Sequence, residues 1–237
     1  MRHKEIKTYL RQLQQVLPRV PAIPVGALKS LHKARDYEGM IRLIRKTMNI
    51  EVDLRIGWVN RGEPKNAGAP AWVKLPDEMP FYGSKAFREM RIEICFRKSF
   101  LEQSAYDQIA IVVAHELSHI VLDSIGHPLR REEMAVDLTA MLLGFRQLYK
   151  SGCYKEQRFR NSTTSQTVGY LTPQEVQLAD QILARGQPGA ILNGIRTASL
   201  FLSGWSRCHH GVVGGKKHRR CADCIHQEWI AEQKRPG

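Results

Sequence analysis

Apolar and polar positions alternate in two rhythms along this chain, and each change of rhythm marks an element. In residues 3–17, Ile6, Leu10, Leu13 and Leu17 recur at helical spacing, and PRVPAIPVG then breaks the pattern with three prolines. A helix and a hinge-like connection are expected. Residues 27–48 carry another apolar stripe, Leu28, Leu31, Met40, Ile41 and Ile44, with basic residues opposite, and read as a second helical segment. The period then falls to two: Val52, Leu54, Ile56 and Trp58 share one face, and Glu51, Asp53 and Arg55 the other. That is a half-buried strand. Beyond the polar loop NRGEPKNAGAP, the short run AWVKL and the alternating RIEICF, with Ile92, Ile94 and Phe96 inward, add two strands, so one mixed or antiparallel sheet is expected.

Helical spacing returns after residue 103. Ser104 stands as an N-cap, Asp107 takes the capping-box position, and Gly126 with Pro128 supplies the stop, which predicts a helix of about five to six turns. A second helix covers REEMAVDLTAMLLGFRQLY, and a third covers GYLTPQEVQLADQILARG, with Thr172 as N-cap and Pro173 at N1. The class is therefore α+β. A helical N-terminal extension over 1–49, a main domain over 50–187, and a linker with a small basic tail over 188–237 give the expected organisation.

The first long helix contains a local contradiction. Its stretch IAIVVAHELSHIVLDSIG reads as buried, yet His115, Glu116 and His119 interrupt it. Burying three such groups costs several kcal/mol unless each has a partner. His115 and His119 are four residues apart, so they stand one turn apart on one face and can grip a single ion. Glu116 projects about 100° away. In an H-E-x-x-H site it takes a proton from a water that the metal has acidified, while the metal polarises a substrate carbonyl. Zinc suits neutral imidazoles and one carboxylate, and leaves a fourth position open.

A third protein ligand is needed, and the downstream candidates are His127, Glu132 and Glu133. Glu133 is favoured, because it begins E-x-x-x-D with Asp137 on a helix that is otherwise overwhelmingly apolar. Asp137 can then accept a hydrogen bond from the non-ligating nitrogen of a metal histidine. Glu132 points about 100° away and reads as a surface residue.

The sheet, HELSH and then EEMAVDLTAMLLGF resemble a gluzincin, the zincin metallopeptidases with H-E-x-x-H on one helix and a glutamate on the next. The second helix is similar to the E-x-x-x-[DN]-x-x-A pattern of the ImmA/IrrE-like peptidases and of the CAAX and heat-shock-type membrane endopeptidases. The resemblance covers roughly residues 50–150. It implies a zincin-like fold with His115, His119 and Glu133 as zinc ligands, Glu116 as general base and Asp137 behind a ligand. The chain departs from the membrane families in having no apolar spans, and from the regulator-cleaving type in showing no helix-turn-helix. His127 resembles the third histidine of the SprT-like DNA-associated proteases, whose pattern continues into an aromatic helix that this chain lacks. For the residue that stabilises an oxyanion, Tyr149, Tyr154 and Tyr170 are candidates, and each also fits as a core or surface tyrosine.

A second cluster lies at the C-terminal end, in RCHHGVVGGKKHRRCADCIHQEW. Cys208, His210, Cys221 and Cys224 can close a tetrahedral structural zinc site, with His209 or His226 as alternatives to His210. So small a module would draw much of its stability from the metal. Its basic tip, Lys216, Lys217, Arg219 and Arg220, suits nucleic acid or an acidic protein equally.

Charge sharpens the same division. The net charge is +13 over 237 residues. Residues 1–50 hold 11 basic against 3 acidic side chains, 51–203 hold 18 against 17, and 204–237 hold 7 against 3. Basic ends can meet nucleic acid or an acidic protein, or serve as solvated faces. The N-terminus MRHKEIKTYLRQL has no apolar targeting core, and no run reaches the roughly eighteen uncharged apolar residues of a membrane span. An odd count of five cysteines does not suggest a disulfide framework. The expected protein is a cytoplasmic zinc metallopeptidase acting on a protein or peptide without a membrane partner, holding one catalytic and one structural zinc. The alternative is a catalytically silent zincin-fold adaptor that binds nucleic acid or protein.

Overall fold

The computed structural model describes residues 2–17, 20–59, 69–82, 84–158, 163–185, 206–207 and 213–214. Helix α1 (Arg2–Val16) buries the predicted stripe of Ile6, Leu10 and Leu13. The segment expected as one helix over 27–48 forms two, α2 (Val25–Lys33) and α3 (Tyr37–Thr47). The break falls at Arg35, whose φ is 55°, and Asp36 opens α3 by accepting the Gly39 N–H at 2.7 Å.

Strands β1 (Asp53–Val59) and β2 (Ala71–Lys74), helix α4 (Lys85–Glu89) and strand β3 (Arg91–Arg97) follow. β3 is central, parallel to β1 on one side and antiparallel to β2 on the other, so the sheet is mixed. Ile92, Ile94 and Phe96 are buried as the alternation predicts. Trp58 departs from its predicted face: it is 37% exposed and tilts against Phe96 at 6.1 Å.

After α5 (Lys98–Gln103) comes α6 (Tyr106–Ser124). Ser104 does not cap it, because that residue terminates α5. Ala105 precedes the first turn of α6, and its N–H donates to Gln108 Oε1 at 3.3 Å, while Asp107 Oδ1 accepts the Gln108 N–H at 3.0 Å. The stop is as expected. Gly126 adopts φ 59°, its N–H donates to the Asp123 carbonyl and the His127 N–H to the Leu122 carbonyl, both at 2.9 Å.

The next helix is not continuous. α7 (Glu133–Ala140) passes into a π-type turn over Met141–Phe145 and restarts as α8 (Arg146–Gly152). Gly144 takes φ 100°, and a Cβ there would stand 2.6 Å from the Pro21 carbonyl oxygen. The segment before α2 runs against this break, with the Ile23 N–H donating to the Gly144 carbonyl at 3.1 Å. A hairpin of β4 (Tyr154–Arg158) and β5 (Thr163–Thr167), absent from the sequence reading, leads to α9 (Pro173–Arg185). α9 opens on a reciprocal cap, Thr172 N–H to Glu175 Oε2 at 2.8 Å and Glu175 N–H to Thr172 Oγ1 at 3.3 Å. β6 (Ser206–Arg207) and β7 (Val213–Gly214) form a short antiparallel pair.

One apolar cluster runs through these elements. Ile6 and Leu10 of α1 and Ile41 and Ile44 of α3 belong to the same core as Phe96, Leu117 and Phe145. α1 lies on α7 and α9, and α3 and β2 lie on α6. The helices of residues 1–49 are thus built into the packing around the site helices. Among the described residues no helix is long and apolar enough to cross a membrane.

Candidate metal centre

α6 is buried on nearly every side, which gives its polar residues fixed surroundings. His115 and His119 stand one turn apart, with ring centroids 5.0 Å apart and planes at 82°. The turn that closes α6 returns the chain so that the first residue of α7 meets them. Glu133 Oε2 lies 3.1 Å from His115 Nε2 and 3.5 Å from His119 Nε2. Ligand-capable atoms of the three side chains all fall within 4.8 Å of one another.

The hydrogen-bond accounting shows what such a cluster can hold. Asp137 Oδ1 lies 2.8 Å from His115 Nδ1, and a buried carboxylate can only accept, so Nδ1 carries the hydrogen. A neutral His115 then turns a bare Nε2 lone pair toward Glu133. Glu133 Oε2 is itself buried and, among the described residues, has no hydrogen-bond partner beyond the two histidine nitrogens it faces. Converging acceptors of this kind need a cation between them, either a proton or a metal ion. A tetrahedral zinc with bonds of about 2.0–2.1 Å separates its ligands by about 3.3–3.4 Å. The distances of 3.1 and 3.5 Å bracket that span, so two imidazoles and one carboxylate fit the ion.

Burial alone pushes the His115 imidazole down, but its contacts with Asp137 and Glu133 raise it to about 10. The facing His115 and His119 hold the Glu133 carboxyl at about 2. Glu116 is raised by burial, against the pull of both histidines and of a backbone hydrogen bond from Val73 on β2. Its carboxylate therefore lies between the site helix and an edge strand.

Asp137 is the buttress of the centre. It is 0% exposed and also accepts Tyr149 OH at 2.7 Å, Tyr170 N–H at 2.6 Å and Leu171 N–H at 3.1 Å. On one continuous helix residues 137 and 149 would stand about 18 Å apart along the axis. The break at Gly144 turns α8 back far enough for Tyr149 to reach. Gly169 takes φ 87°, and a Cβ there would lie 2.9 Å from Asp137 Oδ2, so a side chain is excluded where the backbone approaches the carboxylate. This turn sets the Tyr170 ring against His115, centroids 5.4 Å apart and planes at 23°, with Tyr170 still 55% exposed.

The structure therefore brings together His115, His119, Glu116, Glu133 and Asp137. Glu132 is exposed at the surface. His127 is buried in the turn after α6, where its Nδ1 accepts the Leu129 N–H at 3.1 Å, and it is not part of the metal cluster. Of the three tyrosines, Tyr149 is sealed behind Asp137 and Tyr170 faces the site. The turn Gly169–Leu171 is the element that sequence reasoning missed. Its only local signal is a glycine just before a strong helix cap. Cys208, His210, Cys221 and Cys224, with the alternatives His209 and His226, lie outside the described residues. No family model matches the chain, and neither a curated protein nor a solved structure does.

Proposed function

We propose that this protein is a zinc-dependent peptidase of zincin-like fold, with His115, His119 and Glu133 as the metal ligands. The observation that carries the reading is the buried Glu133 Oε2, which among the described residues meets only the two histidine nitrogens. The gluzincin resemblance of HELSH and EMAVD supports it. When bound, zinc would supply a Lewis acid that polarises a carbonyl and acidifies water. Asp137 fixes the His115 tautomer so that Nε2 stays available. Glu116 takes the proton of the attacking water and passes it to the leaving amine, a role that suits a carboxyl raised by burial. Tyr170, whose ring lies against His115, would act beside the developing negative charge.

RIEICF is β3, hydrogen-bonded on both sides, so it has no free edge. β2 is an edge strand packed on α6, and its Val73 N–H already meets Glu116. An extended peptide would pair there. The tail cysteines and His210 remain proposed as a structural zinc site. A cytoplasmic location accords with the cysteine usage.

Glu116→Gln is expected to retain zinc at the helix site, read by elemental analysis, and to lose hydrolysis by about a thousandfold or more. Hydrolysis at the wild-type rate would overturn the mechanism. A zinc-loaded wild type that hydrolyses nothing, yet binds nucleic acid with a strong salt dependence, would favour the adaptor.

A further inference from the structure

A groove of about 1240 Å³ opens between α1, the chain after β2 and the C-terminal end of α6, where its first lining residue of that helix, Asp123, stands one turn beyond His119. Its apolar lining includes Val16, Met79, Phe81 and Ile125. Helix spacing and chain continuity relate it to the metal centre. His115, His119 and Asp123 are spaced by four residues and so form one stripe on α6, and the groove begins at Asp123. Its opposite wall, residues 76–81, follows directly from the edge strand β2. A peptide paired with β2 would run into the groove.

The charge of the walls is opposite to that of the protein. In a chain of net charge +13, the groove presents Asp77, Glu78 and Asp123 against Arg130. Asp123 is engaged by Arg130 at 3.4 Å. Asp77 and Glu78 are exposed and form no ion pair among the described residues.

We infer that this groove selects protein substrates carrying a lysine or arginine close to the bond that is cut, the basic head meeting Asp77 and Glu78 and the aliphatic stem lying on the apolar lining. The inference rests on the peptidase reading of the metal centre. From His119 to Asp123 the helix advances about 6 Å. An extended chain covers that in about two residues, so the basic residue falls about two to four positions from the bond.

The test uses zinc-loaded full-length Glu116→Gln protein, which holds peptides without cutting them, and fluorescein-labelled ten-residue peptide mixtures. The mixtures are random over neutral residues, except for one position fixed as lysine in one set and glutamine in the other. Anisotropy is expected to show the lysine set binding about fivefold more tightly at low ionic strength, with the difference fading in high salt. Adding Asp77→Asn and Glu78→Gln should remove the preference, with circular dichroism confirming the fold. The salt titration of Glu116→Gln alone tests the same point without these changes. Equal binding of the two sets, or a preference that survives both substitutions, overturns the inference. If the lysine preference is present but wild type cuts neither set, the groove assignment stands and the peptidase reading fails. If wild type cuts both sets equally, the peptidase reading stands and the groove assignment fails.

Discussion

Glu133 and Asp137 are two carboxylates one turn apart on the same helix, and their environments are opposites. Asp137 is 0% exposed and receives four donors, from α6, α8 and the turn before α9. The Glu133 side chain is 40% exposed, and among the described residues its buried oxygen meets only the two histidine nitrogens. A carboxylate satisfied from every side holds the fold together, whereas one held beside two histidines without a donor is kept for something the chain does not itself supply. Spacing alone made them look alike.

The sharpest way to break the comparison is to remove each in turn. Asp137→Leu would bury a bare His115 Nδ1–H, the Tyr149 hydroxyl and two backbone N–H groups without an acceptor. The expected loss is about 4 kcal/mol or more of folding stability, read by denaturant titration of metal-free protein. Glu133→Ala removes only a 40%-exposed carboxylate whose pairing with the histidines is screened by water, so the metal-free protein should lose about 1 kcal/mol. It should also lose the stabilisation that zinc gives, about 2.7 kcal/mol at a hundredfold excess over the dissociation constant. Equal destabilisation of the metal-free protein by the two changes would erase the distinction.

A smaller effect separates the buttress from its support. Gly169→Ala places a Cβ against Asp137 Oδ2 at a positive φ, and should cost about 1–3 kcal/mol. It should also loosen the Tyr170 ring from His115, seen as a shift of the His115 ring resonances. A variant as stable as wild type would mean that the turn is not what holds Asp137.

What the sequence shows of this arrangement follows from the range of each interaction. His115 with His119, and Glu133 with Asp137, are four-residue pairs, and helical periodicity alone puts each pair on one face. The Thr172–Glu175 cap is equally local. The break at Gly144 is not, because an isolated glycine inside a helical pattern costs only about 1 kcal/mol and MLLGFRQLY keeps its apolar period through it. What decides that break is the approach of the Pro21–Ile23 segment, more than a hundred residues upstream. Tyr149 and the Gly169–Leu171 turn gain their meaning from the same fold-back. The central place of β3 was hidden for a related reason: alternation reveals which face of a strand is buried, not which neighbours it pairs with. Ser104 has the chemistry of a cap, but α5 claimed it, and Gln108 answers the Ala105 N–H instead.

The pH dependence of the metal-free protein offers the gentlest test, and it treats the two carboxylates differently. His115 is raised from its ordinary 6.5 to about 10, so its imidazolium contributes stability that is full below pH 6.5 and is lost as pH rises toward 10. Glu133 is lowered from its ordinary 4.5 to about 2, so its carboxylate contributes stability that is full above pH 4.5 and is lost as pH falls toward 2. Both contributions are complete between about pH 4.5 and 6.5, where the melting temperature of metal-free protein should be highest. The acid limb should be shallow, because the Glu133 side chain is 40% exposed and water screens it. Glu133→Ala should flatten that acid limb, yet most of the alkaline limb should survive, because the buried Asp137 charge at Nδ1 still favours the imidazolium. Zinc should act the other way. Bound between His115, His119 and Glu133, it replaces the proton at Nε2, so the alkaline limb should disappear from the loaded protein while acid displaces the metal. If Glu133→Ala abolishes the alkaline limb, Asp137 is not the partner that sets the charge of His115, and the contrast between the two carboxylates is drawn in the wrong place.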